Sequence, residues 1–203
     1  MTAVKVKGKY RPVCKTKIDL AFLIDSSSSI GYDFRNQIQF VNDFVDFLDV
    51  GSGATRVAAV TFSDKVFPHF GFNDYTTKID VLSAINYIEI NGGNTRTDLA
   101  LKYTHEHIFA PDNGERSDVI DVVIVLTDGN SQRRIHTQSE AALIKDRGAF
   151  IFAIGVGSYI SVDELNEISS DPDQKFTILV SSFSQLNSDE VKEMLLKRAC
   201  FGK

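Results

Sequence analysis

Cysteine is scarce in this 203-residue chain: there are two, Cys14 and Cys200. Neither has zinc-ligand spacing with His69, His105 or His107, so a zinc site of the cysteine–histidine type is excluded. No apolar run is long enough to cross a bilayer as a helix. The net charge is only −5, with no clustered basic surface in the sequence, which argues against nucleic acid as a partner. There is no Asn-x-Ser/Thr glycosylation acceptor. The first residues, Met1-Thr2-Ala3-Val4-Lys5-Val6-Lys7-Gly8-Lys9, lack the apolar core of a signal peptide. That leaves a cytosolic protein, or a mature segment or fragment with an added Met.

Enzyme signatures are missing too. Gly155-Val156-Gly157 is half of a dinucleotide-binding Gly-x-Gly-x-x-Gly, with Ile160 in the third glycine's place. No Gly-x-Ser-x-Gly elbow and no phosphate-binding lysine loop occur. A dehalogenase-like phosphatase would want a second carboxylate two residues after Asp25, where Ser27 stands.

What is present is a chain of ordinary globular composition, 43% hydrophobic and 24% charged, long enough for one α/β domain with a sizeable core. The cysteines bracket nearly all of it. Two readings stand: a bridge between domain ends, which often lie close together, or two unrelated free thiols. A bridge would close almost the whole chain, with an upper value of ~5 kcal/mol of stabilisation, and implies an oxidising, extracellular setting. With it, the fragment of a secreted protein is the preferred reading of the N-terminus.

The organising stretch is Ile18 to Gly31: an apolar run, then Asp25, then Ser26-Ser27-Ser28-Ser29. The run suits a strand buried on both faces. Ligands bind beyond the carboxyl ends of such strands, and Asp25, Ser27 and Ser29 offer only oxygen, which hard cations prefer. A serine-rich turn capping a helix explains the same residues equally well.

Residues 1–13, basic, polar and holding Pro12, are expected to be a linker or an added segment, and residues 201–203 a tail. Between them the domain spans 14–200. A helix begins near Asp33, with Phe34, Ile38, Val41, Val45 and Leu48 on one face and Gly51-Ser52-Gly53 as its stop. Strands follow at 55–63 and 65–72, the second an antiparallel edge because of Pro68. Then come a helix over 76–90, a sharp loop at 91–97, a helix over 98–109, a strand over 121–128, a helix over 137–147 and a strand over 150–156. The chain closes with a helix over 163–169, a strand over 176–180 and a helix over 184–198. The expected fold is α/β: a doubly wound, mainly parallel six-stranded sheet with one short antiparallel edge strand and helices on both faces. Asp25 and Asp128 then end two strands at the same carboxyl edge.

Three loops converge there: Asp25 to Ser29, Gly93-Asn94-Thr95-Arg96-Thr97, and Thr127-Asp128-Gly129-Asn130-Ser131. In these loops the chain resembles the von Willebrand factor type A domain family, which includes the integrin inserted domains, over about Cys14 to Cys200. The family's metal-ion-dependent adhesion site is Asp-x-Ser-x-Ser, a distant Thr and a distant Asp. Asp25, Ser27, Ser29, Thr95 and Asp128 match it in order, and Thr97 is read as a cap for the following helix. The resemblance implies a bound Mg2+ (Ca2+ or Mn2+ being alternatives), completed by an acidic group of a partner, and close backbone passage at Gly129.

The terminal cysteines resemble those of family members in extracellular matrix proteins, where a disulfide joins the domain's ends. Such a bridge would restrain the final-helix sliding that the integrin domains use for regulation. Asn130 and Gln132 are placed on the ligand-binding rim, with Arg96, Arg133, Arg134 and His136 near it. Asn130 stands where collagen-binding integrin domains carry glutamate, which puts that mode of collagen binding in doubt. The function implied is non-enzymatic: a secreted matrix or adhesion module, part of a larger multidomain protein, binding a matrix protein such as collagen or another acidic ligand. The alternatives are a structural spacer that binds through metal-independent side faces, and a phosphatase-like enzyme as the outside case.

Overall fold

The computed structural model describes residues 2–6, 9–14, 16–51 and 53–200, of which 2–6 and 9–13 are described by backbone alone. Where a linker is expected, the backbone forms a two-stranded antiparallel ribbon, β1 (Thr2–Val6) and β2 (Lys9–Val13), separate from the main sheet. The tail at 201–203 lies outside the described residues.

The main sheet has six strands: β3 (Ile18–Asp25), β4 (Arg56–Phe62), β5 (Val66–Phe70), β6 (Ile120–Thr127), β7 (Phe150–Val156) and β8 (Thr177–Val180). Their order is β5-β4-β3-β6-β7-β8. All pairings are parallel except β4 with β5. The expected architecture is therefore the observed one. Pro68, which has no N–H for a central ladder, sits on the edge strand β5. The order reverses between β3 and β6, and that switch point puts the ends of these two strands side by side.

Alternation along β3 and β6 divides the core. Leu20, Phe22, Ile24, Val122, Ile124 and Leu126 face one layer; Ala21, Leu23, Val123 and Val125 face the other. The first layer packs under α1 (Phe34–Asp46), α2 (Lys78–Asn86), the short turns α6 (Asp173–Phe176) and α7 (Phe183–Leu186), and α8 (Asp189–Cys200). The second packs under α3 (Thr97–Tyr103), α4 (Arg134–Asp146) and α5 (Val162–Ile168). Phe22 meets Phe44 edge-on at 6.2 Å, and Phe40 stacks on Phe44 at 6.0 Å. Each buried phenyl of this kind adds roughly 1.5–3 kcal/mol, so this cluster fixes α1 on the sheet.

Three of the boundaries that differ from expectation show a local reason. α1 ends at Asp46, not at Gly51, because the next residues pair elsewhere: Cys14 N donates to Phe47 O and Asp49 N to Cys14 O, both at 3.1 Å. The helix expected over 184–198 is two helices. The Ser188 hydroxyl accepts Val191 N at 3.3 Å, capping a fresh start for α8. α3 begins at Thr97 rather than Asp98 and passes into a π-helical turn over Thr104–Ile108. Thr97 is thus a buried helical residue and not a cap; the position before it, Arg96, has no capping side-chain bond.

Cys14 and Cys200 are joined by a disulfide, with Cα atoms 5.9 Å apart. Beside it the Thr16 hydroxyl donates to Cys200 O at 2.8 Å. The far end of α8 is held as well, since Lys192, itself buried, donates from Nζ to Asp43 Oδ2 of α1 at 2.6 Å.

Candidate metal centre

β3 delivers Asp25 to the carboxyl edge, fully buried. Its Oδ1 accepts Ser27 N at 2.8 Å and its Oδ2 accepts the Thr127 hydroxyl at 2.7 Å, so both oxygens are held from two loops. The Ser27 and Ser29 hydroxyls lie 3.1 Å apart, and Ser29 Oγ donates to Asp128 Oδ1 at 2.9 Å. Four of the five candidate residues therefore form one hydrogen-bonded arc across the β3 and β6 loops.

The fifth, Thr95, is brought in by loop-to-loop stitching. Gly92 N donates to Ser26 O, Ser28 N to Gly93 O, and Gly93 N to Ser28 Oγ, all within 2.9 Å. Gly93 has φ +104°, and a Cβ there would run into the Asp64 carboxylate, so only glycine suits this turn. On the other side Gln132 N donates to Thr95 O at 3.0 Å. A Cβ added at Gly129 would stand 3.8 Å from Thr95 Oγ1, so the third loop passes close to the threonine.

Two supporting residues were missed from sequence. Gln37 donates from Nε2 to Asp25 O at 3.0 Å and is fully buried on the apolar face of α1. Its place three residues after Phe34 on that stripe was the available signal. Asn91 accepts the Ser26 and Thr61 hydroxyls through Oδ1 at 3.0 and 2.9 Å, tying the threonine loop to β3 and β4.

The electrostatics are one-sided. Burial pushes the Asp25 carboxyl up to about 6, against the pull of the Ser27 and Thr127 hydrogen bonds. Burial also raises Asp128, and the Asp33 charge adds to the rise. No lysine or arginine among the described residues pairs with either carboxylate. Two partly or fully desolvated carboxylates, with the Ser27 and Ser29 hydroxyls between them and no Lys or Arg partner among the described residues, fit a hard divalent cation. No cluster of three or more His, Cys, Asp or Glu stands among the described residues. A cation here would therefore depend on hydroxyls and water as much as on charge.

The rim residues are less uniform. Gln132, Arg133 and His136 are exposed. Arg96 is clamped onto Asp98 through two bonds of 2.7 and 2.8 Å, and Arg134 is paired with Glu167. Asn130 Oδ1 accepts Ser161 N at 2.6 Å, so this side chain ties its loop to the turn before α5.

Comparison with known proteins matches residues 19–192 to the von Willebrand factor type A domain. The Transmembrane cell adhesion receptor mua-3 of Caenorhabditis elegans is 34% identical over 191 residues, 92% of this chain but 5% of that protein. Matrilin-1 of Bos taurus is 36% identical over 199 residues, 95% of this chain and 36% of that protein. This chain thus spans at most about a third of these relatives. Among solved structures, proximal thread matrix protein 1 from the mussel byssus superposes with a TM-score of 0.87 at 30% identity, covering 94% of this chain and 50% of that one. A second structure of that protein, with a zinc-occupied MIDAS motif, gives 0.82 at 31% identity over 93% of this chain and 47% of that one. With the fold, the terminal disulfide and these matches together, the chain belongs to the von Willebrand factor type A domain family, in the extracellular form found in secreted matrix proteins.

Proposed function

We propose that this chain is a metal-dependent adhesion module, and that Asp25, Ser27, Ser29, Thr95 and Asp128 hold the ion. Mg2+ is the first choice, with Ca2+ or Mn2+ as alternatives. The observation that carries the reading is the fully buried Asp25 and half-buried Asp128, linked through Ser27 and Ser29 with no Lys or Arg partner among the described residues. The zinc-occupied MIDAS motif of the mussel protein supports it. When bound, the ion supplies an electrophilic point for an outside carboxylate oxygen.

Each residue's work follows from its surroundings. Asp25, pinned from Ser27 and Thr127, keeps a negative charge fixed at the base of the site. Ser27, Ser29 and Thr95 supply neutral oxygens, so the protein does not cancel the ion's charge. Asp128, half-buried, stands where the site opens to a partner. The partner is an extracellular matrix protein such as collagen, or another ligand presenting an acidic group. The role is binding, not catalysis, and the module works within a longer multidomain protein.

The test is solid-phase binding to a panel of matrix proteins in Mg2+, in chelator, and for Asp128→Ala. Binding in Mg2+ that vanishes in the other two arms is the expected result. Binding that survives both moves the contact to the side faces.

A further inference from the structure

A trough of about 420 Å³ opens beside the candidate metal centre, and Asp128 belongs to both. One wall is the start of α1, with Asp33. The other is built by the turns after β7 and β8, with Ser158, Tyr159, Ser181, Ser182 and Ser184. Its residues include no lysine or arginine. Asp33 occupies the position before α1, yet its carboxylate caps no helix amide. Oδ1 takes one bond from Asn36 Nδ2 at 2.7 Å, and Asp33 makes no ion pair among the described residues. Tyr159 is 88% exposed on the opposite wall.

Arg133 and Arg134 are exposed on the loop leading into α4 and on its first turn, and Arg35 on the first turn of α1, but none of the three lines the trough. The trough itself offers hydroxyls and carboxylates.

We propose that this trough selects the residue beside the ligand's metal-binding acid, and that it takes a cationic side chain from the partner polypeptide. The inference rests on the metal-dependent reading above. An acidic side chain of the ligand meets the ion at Asp128. The extended ligand chain advances about 3.3 Å per residue, so a lysine or arginine within a few positions reaches Asp33. Its aliphatic stem lies along the trough, and the Tyr159 ring offers a face to the charge. The serine hydroxyls accept the remaining N–H donors.

The experiment uses synthetic peptides with one glutamate and, one to three residues on either side, a lysine, a norleucine of similar length, or a second glutamate. Binding to the folded domain is measured in Mg2+ and in chelator, with backbone amide NMR shifts recorded at Ser158, Ser182 and Ser184. In Mg2+ the best lysine peptide binds about three- to fivefold more tightly than its norleucine counterpart, the range of a partly exposed ion pair, and shifts those three amides. Asp33→Asn brings the ratio to about one, and Asp33→Lys makes the second-glutamate peptide the preferred one. Metal-dependent binding with equal affinity for lysine and norleucine, or a lysine preference that survives Asp33→Asn, overturns the inference alone. Binding with no dependence on Mg2+ overturns both it and the metal-dependent reading.

Discussion

The two ends of the β3–β6 strand pair carry the same group in opposite circumstances. At the amino end Asp19 and Asp121 stand opposite one another in register. Asp19 is fully buried, and Arg116 wraps it with three bonds of 2.7 to 3.0 Å from N, Nε and Nη2. The same guanidinium donates to Ile18 O and Ala54 O. Arg147 reaches Asp121 and Glu115 at 3.3 Å and lies over the Phe109 ring. At the carboxyl end Asp25 and Asp128 are linked through Ser27 and Ser29, and no arginine or lysine among the described residues pairs with them. A buried carboxylate needs a positive partner. Where the chain supplies that partner the cluster is closed and structural; where it supplies only neutral oxygens, the proposed ion takes the partner's part.

The largest expected effect comes from opening the closed end. Arg116→Met leaves Asp19 buried without its counter-charge and lowers unfolding free energy by about 3–5 kcal/mol in denaturant titration. Adding Asp19→Asn to that variant returns a substantial part of the loss. A variant as stable as the parent would break the contrast between the ends. Removing the disulfide with Cys14→Ser and Cys200→Ser together costs about 2–5 kcal/mol in the same assay.

The open end is read through metal linkage. Mg2+ at a hundred times its Kd raises unfolding free energy by about 2.7 kcal/mol, seen as a higher Tm, and Asp128→Ala loses this response. In metal-free buffer that variant gives up only the Ser29 hydrogen bond, about 1 kcal/mol. Equal Mg2+ responses from both proteins would remove Asp128 from the site.

The smallest effect is pH dependence at the closed end. Burial pushes Asp121 up to about 7, with Arg147 pulling against it and Glu115 adding to the rise. A carboxyl raised in the folded state holds a proton that the unfolded chain releases near pH 4. Its contribution is therefore full below about pH 4 and is lost as pH rises toward 7. Asp121→Asn removes that slope when the two stability profiles are compared between pH 4 and 8.

The sheet was legible because buried strands and amphipathic helices carry period and composition in contiguous residues, as Ile18–Asp25 and Ile120–Thr127 do. The five candidate metal residues were legible because Asp25, Ser27 and Ser29 sit at fixed local spacing and Thr95 and Asp128 lie in loops the topology gathers. The structure joins Asp25, Ser27, Ser29 and Asp128 in one hydrogen-bonded arc and sets the Thr95 loop beside it. The guanidinium partners were not legible. Arg116 lies in a connection 97 residues from Asp19, and nothing local marks it. The bond from Ser161 N to Asn130 Oδ1 was not legible either, because it crosses a turn that no spacing reveals. The end of α1 was misjudged because backbone pairing with a distant segment decides it, not side-chain period.

The bond between Cys14 and Cys200 also has a mechanical meaning. A pull applied through residues 14 and 200 is carried by two sulfur atoms and never enters the six-stranded sheet. The domain is short-circuited under load. Its loops at the far edge keep their shape while tension passes through the two sulfurs, so the geometry of the candidate site does not depend on stretch.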